Sequence, residues 1–327
     1  MNNRRKLFLA LGANSLAGPT ALLAQAQQKM GRIGIPSLVN PRSVPWVVAF
    51  DRRLMELGYI EGRNIAIEFQ NAEGKFERLS EIAAEMVRHN VNLLLAGGPE
   101  APARAARQAT STIPIVVVAV DYDPVAAGYA ASLSRPGGNV TGVFSNQLEL
   151  AVKRLELLRQ ALPKIGRVAV LWDQISVTQL KPTEAAANAL GLQVQALEMR
   201  NYPYDYASAF GAASRERAQA ILTLMSPLMF RSEEQIITMA KENTLPTMAG
   251  LPNFAESGGL MSYGADLLSM YRRAAELADQ ILKGARPANM PIEQPTHFEL
   301  VINSKTAKSL GIKVPDIILL RADKVIE

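Results

Sequence analysis

Asp121 and Asp123 are the residues whose types and spacing suggest chemistry most directly, since they flank Tyr122 at the end of a run of β-branched residues. In a cleft, a carboxylate can pair with the ammonium group of a ligand, and the tyrosine ring offers a face for stacking. The Asp-x-Asp spacing could also hold a divalent cation, but no other acidic cluster accompanies it. Alternatively, one aspartate caps a helix that starts near Pro124. We expect one of the two to face a ligand, and the sequence leaves open which one.

Most catalytic and cofactor chemistries find no support in this sequence. There is no cysteine, so disulfides, thiolate nucleophiles and cysteine-based metal sites are excluded. The two histidines, His89 and His297, are far apart in the sequence. No G-x-S-x-G, H-E-x-x-H or glycine-rich nucleotide-binding motif occurs. We therefore predict a protein that is not an enzyme and that carries no metal and no cofactor.

Further candidates follow predicted strands, because ligands of open α/β sheets bind beyond the carboxyl ends of the strands. Ser37 follows a strand at 32–36 and offers a hydroxyl, with turn chemistry before Asn40 as the alternative. Gly97 and Gly98 precede a helix whose amides could bind a carboxylate, or they form a tight turn. The remaining candidates are Ser145, Asn146, Trp172, Ser226 and Tyr263, of which the tryptophan could equally belong to a core. Together these groups predict a site for a zwitterionic or aromatic small molecule.

The elements that must position these residues alternate between strands and helices from about residue 30. The strands are short apolar runs such as "VNLLLA" (91–96) and "IPIVVVAV" (113–120). Such runs separated by helices are typical of parallel sheets covered on both faces. The pattern then starts again, because "KMGRIGI" (29–35) is echoed by "KIGRVAV" (164–170). We predict an α/β fold with two doubly wound parallel-sheet lobes.

The stretch "SRPGGNVTGVFSN" (134–146) joins the two copies of this pattern. Its glycines come before the strand at 140–144, whereas a phosphate-binding loop follows its strand and opens a helix, so phosphate binding is not predicted. Ser145 and Asn146 fall where the chain leaves the first lobe. We predict a hinge that the chain crosses several times, with lobe 1 formed by 29–144 plus about 262–287 and lobe 2 by 145–261 plus about 288–327.

The first 26 residues predict an export signal. Arg4-Arg5-Lys6 precedes a mostly apolar stretch, and Ala24-Gln25-Ala26 has the small-x-small pattern of a signal-peptidase site. Without this segment the net charge falls from +5 to +2, and no Lys/Arg block of nucleic-acid-binding type remains. No cysteine follows the apolar run, so we expect no lipid anchor. The predicted location is the periplasm, reached by the Sec or the twin-arginine route, and no nucleic-acid partner is expected.

Long stretches of the chain resemble one known family. They are "ELGYIEGRNIAIEFQNAEGKFERLSEIAAEMV", "ATSTIPIVVVAVDYDPVAAGYAASLSRPGGNVTGVF" and the segment from "GGLMSYGAD" to "RADKVIE". In these stretches the chain is similar to ABC-transporter substrate-binding proteins of the tryptophan/tyrosine-binding type, which have the type I periplasmic-binding-protein fold. The resemblance implies an exported receptor that closes on a small ligand and delivers it to an ABC permease in the inner membrane. We expect a monomer.

Two other functions remain open at this point. A periplasmic ligand-sensing module that feeds a receptor would share the two-lobed architecture. An exported α/β enzyme would have to work with the carboxylates of Asp121 and Asp123 alone, whose spacing in a loop is not diagnostic. A repressor of the LacI type needs an N-terminal helix-turn-helix, and the predicted export signal occupies that position.

Overall fold

The computed structural model describes residues 30–120 and 122–327, so the expected export signal (1–26) and Asp121 lie outside the described residues. The strands are β1 (Gly31–Ser37), β2 (Ile65–Asn71), β3 (Leu93–Gly98), β4 (Ile115–Ala119), β5 (Val140–Phe144), β6 (Arg167–Trp172), β7 (Gln193–Glu198), β8 (Ile221–Thr223), β9 (Thr247–Ala249), β10 (Met261–Ala265), β11 (Ile292–Glu293), β12 (Phe298–Asn303) and β13 (Lys324–Ile326). The α-helices are α1 (Pro45–Glu56), α2 (Phe76–Arg88), α3 (Glu100–Ala109), α4 (Gln147–Ala161), α5 (Val177–Ala189), α6 (Tyr206–Arg215), α7 (Pro227–Arg231), α8 (Glu233–Glu242), α9 (Pro252–Glu256), α10 (Leu267–Leu282), α11 (Ser304–Ser309) and α12 (Asp316–Leu319).

The first lobe is built on a six-stranded parallel sheet in the order β11-β5-β4-β3-β1-β2. Its central strand β4, with the sequence IVVVA, is buried along its whole length. Val116 and Val118 face a core shared with α1 and α10, while Ile115 and Val117 face a second core shared with α2 and α3. Helices therefore cover both faces of the sheet, as the continuous β-branched runs predict.

The second lobe repeats this arrangement on a seven-stranded sheet in the order β13-β12-β10-β9-β8-β6-β7. Val168 and Val170 of β6 pack into a core shared with α4, and Ala169 and Leu171 face a core shared with α6 and α8. The strands are parallel except for β10 and β12, which pair antiparallel. The α/β fold with two sheet-based lobes is confirmed.

The chain passes between the lobes three times, after β5, after β10 and after β11. Two of the expected boundaries need correction. Residues 262–265 belong to β10 and the second sheet, although the boundary at about 262 assigned them to lobe 1. Conversely, β11 pairs with β5 in the first sheet, although residues from about 288 onward were assigned to lobe 2. Strand β11 adds to the edge of the first sheet through pairing with β5, which is distant in sequence, and local patterns do not reveal such pairing.

Arg154 on α4 forms hydrogen bonds at two of the places where the chain passes between the lobes. Its Nε donates to the carbonyl oxygen of Tyr263 at 2.7 Å, just before the second crossing, and its Nη2 donates to Oε1 of Gln147 at 2.7 Å, just after the first. The side chain is fully buried, and this burial lowers the pKa of Arg154 to about 9. Gly250 leaves room for the guanidinium, because a Cβ there would lie 2.8 Å from Nη2, and a Cβ at Gly264 would overlap the carbonyl oxygen of Gly250.

Within residues 30–120 and 122–327, no helix has both the length and the apolar character that a membrane crossing requires.

Candidate functional site

A cavity of about 470 Å³, partly open to solvent, lies where the two lobes face each other. Its wall is mainly apolar. The aromatic lining residues are Trp46, Phe230 and Tyr271; the aliphatic and proline residues are Pro99, Val120, Met225, Pro227, Leu251 and Leu267; and the polar or backbone contributions come from Asn40, Gly98 and Ser226. Aromatic walls with a few placed polar groups are typical of small-molecule sites.

Two aromatic rings meet across the cleft beside this cavity. Trp46 lies in the first turn of α1, where Pro45 starts the helix, and Phe230 lies on α7 of the other lobe. Their ring centroids are 4.7 Å apart at an interplanar angle of 64°, an edge-to-face arrangement. Nearby, Arg231 Nη1 donates to the carbonyl oxygen of Val39 at 3.4 Å, again from lobe to lobe. The lobes are therefore in direct contact over the cleft.

Tyr271 forms the floor of the cavity on the first lobe. Only 5% of this residue is exposed, and burial raises the pKa of its phenol. The hydroxyl lies so close to Gly97 that a Cβ there would overlap it. Gly97 thus admits the tyrosine, whereas Gly98, with a φ of +98°, turns the chain into the cavity wall.

Ser226 lies at the cavity wall of the second lobe and is held by a buried carboxylate. Its hydroxyl donates to Oδ2 of Asp173, and the same oxygen accepts a hydrogen bond from Tyr204 Oη at 2.9 Å. The other carboxylate oxygen accepts from the backbone N–H groups of Ile175 at 3.0 Å and Ser176 at 2.9 Å. Asp173 follows β6 directly, so this network sits at a strand end.

The structure brings two of the predicted site residues, Gly98 and Ser226, to the cavity. Ser37 is close to it in sequence, but its hydroxyl donates to the carbonyl oxygen of Asn40 at 2.7 Å, which is the turn chemistry considered as an alternative. Asp123 is exposed and accepts from the backbone N–H groups of Val125 and Ala126, but residues 124–128 form a turn and not the helix considered as the alternative. Its partner Asp121 lies outside the described residues.

The remaining predicted residues lie away from the cavity wall. Trp172 packs half-buried on the core of the second lobe, and Tyr263 stacks on Phe298 with centroids 6.2 Å apart. Ser145 is buried at the first crossing, where its amide donates to the carbonyl oxygen of Ala119, and Asn146 precedes α4. These four residues are therefore placed at the core or the hinge, and a ligand contact for any of them stays a prediction.

Four aromatic or polar lining residues were not predicted from the sequence: Asn40, Trp46, Phe230 and Tyr271. Trp46 carried a usable signal, because it is one of two tryptophans and follows the loop at the end of the first strand. Phe230 likewise comes shortly after the predicted Ser226. Tyr271 lies within an amphipathic helix, where nothing local separates a cavity wall from a core position. In the part of the chain that is described, no group of three or more acidic or histidine side chains is arranged to hold a metal ion.

The sequence model of one family, described as "ABC transporter substrate binding protein", matches residues 43–326. The chain belongs to this family. A curated relative, the tyrosine-binding protein of Clostridioides difficile (strain R20291), is 31% identical over 299 residues, which cover 88% of this chain and 82% of that protein. The resemblance noted in the sequence is confirmed.

Two solved structures have similar sequence identity to this substrate-binding protein, and one is a ligand complex while the other is ligand-free. An ABC domain from Streptococcus pneumonia in complex with L-Trp is 25% identical, with a TM-score of 0.79 over 91% of this chain and 100% of that chain. A ligand-free, open substrate binding protein with adhesive properties from Clostridium difficile is 26% identical, with a TM-score of 0.64 over 91% of this chain and 99% of that chain. These likenesses confirm the two-lobed type I fold.

Proposed function

We propose that this substrate-binding protein captures a small amino acid with an aromatic side chain in the interlobe cavity and delivers it to an ABC permease. The observation that carries the proposal is the cavity wall, where Trp46, Phe230 and Tyr271 surround a space with few polar groups. Aromatic faces of this kind suit a flat ring, and the few polar groups suit one small charged end. The relatives whose names mention tyrosine and L-Trp support the same class.

Hinge closure is the proposed capture mechanism. The cross-cleft pair of Trp46 and Phe230 can exist only while the lobes are together. At nearly equal identity and coverage, the TM-score is higher to the L-Trp complex than to the ligand-free, open structure, as expected for lobes arranged near the closed state. A ligand that contacts both lobes stabilises this state by its differential affinity. The permease would then bind the closed form of the protein.

Export to the periplasm, a monomeric state and the absence of catalysis complete the proposal. A ligand-sensing module of a receptor would use the same cavity and the same closure, and it differs only in the protein that docks on the closed form. Membership of a transporter family favours the permease as that partner.

The two tryptophans give a direct test of the site, because Trp46 lines the cavity and Trp172 does not. We expect calorimetry of the protein without residues 1–26 to show one-to-one binding of at least one aromatic amino acid. Binding of a ligand without an indole ring, such as L-tyrosine or L-phenylalanine, should change the tryptophan fluorescence of the Trp172→Phe variant, in which Trp46 is the remaining tryptophan. The matched Trp46→Phe variant should lose most of this signal.

Two results would contradict the proposal. One is the absence of heat with every aromatic amino acid in the panel. The other is a ligand-dependent signal that comes from Trp172 alone. X-ray scattering with and without the ligand tests closure separately, since the radius of gyration should fall on binding.

A further inference from the structure

The hydrogen bonds of Ser226 determine what its hydroxyl can offer a ligand. A serine hydroxyl has one donor and two acceptor positions. The donor is used, because the partner Asp173 is a carboxylate and only accepts. One acceptor position receives the backbone N–H of Leu228 at 3.2 Å. Ser226 is 4% exposed and lines the cavity, so it presents one free acceptor position and no donor to a ligand.

The carboxylate behind Ser226 makes this acceptor attractive to a cation. Asp173 is 1% exposed, and in the described part of the chain the groups that donate to it are neutral hydroxyls and amides, from Tyr204, Ser226, Ile175 and Ser176. These bonds fix the carboxylate but add no positive charge to it. A cation bound to Ser226 would lie one hydrogen bond away from a buried negative charge, where low polarity strengthens their attraction.

The opposite lobe offers a second acceptor at the same cavity. Oδ1 of Asn40 is buried, and among residues 30–120 and 122–327 it has no hydrogen-bond partner. Asn40 lies in the loop between β1 and α1, six residues before the wall residue Trp46, and it lines the same cavity as Ser226. A buried acceptor without a partner costs free energy until a donor arrives. An ammonium group carries three donors in a compact head, so it has a donor for each of these two acceptors.

We propose that Asn40 Oδ1 and Ser226 Oγ, with Asp173 fixed behind the serine, form a subsite for a protonated primary amine of the ligand. The inference rests on the proposed function of this cavity and deepens it, because it states which groups of the two lobes bind the amine end of the ligand. Asp173 is a positioning residue that holds the hydroxyl hydrogen away from the cavity. Since the two acceptors come from different lobes, the amine itself draws the cleft closed.

The test compares amino acids with analogues that lack only the amine. Calorimetry would measure dissociation constants of L-tryptophan and 3-(indol-3-yl)propanoate, and of L-tyrosine and 3-(4-hydroxyphenyl)propanoate. We expect the Ser226→Ala variant to lower the preference for the amine-bearing ligand about 10- to 100-fold, the range for a lost hydrogen bond to a charged group. Asn40→Ala, on the other lobe, should lower the same ratio. Ser232→Ala is the matched control, because this buried serine donates to the carbonyl oxygen of Leu228 and does not line the cavity.

The outcomes separate the subsite from the function on which it rests. If Ser226→Ala and Asn40→Ala weaken both ligands of a pair by the same factor, the amine subsite is refuted while aromatic capture stands. The same conclusion follows if the wild-type protein binds the deaminated analogue as tightly as the amino acid. If the wild-type protein binds neither ligand of either pair, both proposals fail.

Discussion

The cross-cleft contact of Trp46 with Phe230 gives the sharpest prediction, because the two rings belong to different lobes. We expect the Trp46→Ala and Phe230→Ala substitutions to interact in ligand binding when they are combined in a double-mutant cycle. Edge-to-face pairs contribute about 0.5–1.5 kcal/mol beyond their buried area. The centroid distance of 4.7 Å and the angle of 64° fall within the favourable geometry for such a pair. The coupling should therefore change the dissociation constant by about 2- to 13-fold.

Each single substitution should have a larger effect than this coupling. Phe230 is half-buried and lines the cavity, so its removal also takes apolar surface from the bound ligand. Burial of a phenylalanine side chain contributes roughly 1.5–3 kcal/mol, which corresponds to a loss of affinity of about 10- to 150-fold. Trp46→Phe keeps an edge-to-face partner for Phe230 and should keep most of the coupling.

Calorimetry with the tightest-binding aromatic amino acid provides the four dissociation constants of the cycle. Thermal unfolding without ligand is the control, because a variant that merely unfolds would mimic weak binding. Additivity within about 0.3–0.5 kcal/mol would show that the rings do not interact in the bound state. Closure over the ligand by this pair would then be refuted.

Three further substitutions test the packing around the site. Gly97→Ala should weaken ligand binding, because its Cβ overlaps the hydroxyl of Tyr271; calorimetry should show partial recovery when Tyr271→Phe is added, and no recovery would refute this contact. Gly142→Ala should lower the free energy of unfolding in urea by about 3 kcal/mol or more, since φ is +151° and the Cβ overlaps a carbonyl of the neighbouring strand. The hydrogen bonds from Arg272 lower the pKa of Glu56 from 4.5 to about 2, so its contribution to stability is complete above pH 4.5 and is lost as the pH falls toward 2. The difference in melting temperature between wild type and Glu56→Gln should therefore be visible at pH 6 and vanish near pH 2, and a difference that persists there would contradict this assignment.

The sequence reveals the sheets better than their edges. Strand β4 is found because a fully buried parallel strand needs an unbroken β-branched run, and such runs are visible locally. Strand β11 comprises only Ile292 and Glu293, within a proline-rich connection, so it has no periodicity to detect. It exists because β5 offers an unpaired edge, and that edge is far away in the sequence.

The residues of the site likewise divide into those that local sequence predicts and those that it does not. Gly98 and Ser226 can be found because both come at the end of a strand, where the topology of α/β sheets places ligands. Trp46, Phe230 and Tyr271 project from helices, and which helical face reaches the cleft depends on how one lobe meets the other. That arrangement is a property of the assembled molecule and leaves no mark in a window of local sequence.

The late return of the chain to the first lobe has a consequence for synthesis and for proteolysis. Residues 30–144 supply five strands of the first sheet, but α10 and β11, which cover its face and extend its edge, come from residues 267–293. Met270 and Tyr271 of α10 belong to the same hydrophobic core as Phe50 and Val116. A nascent or truncated chain that ends before α10 therefore leaves an apolar surface of the first lobe in water, so the first lobe is incomplete as a contiguous N-terminal fragment. We expect such a fragment to be more sensitive to proteases and to aggregation than the full chain.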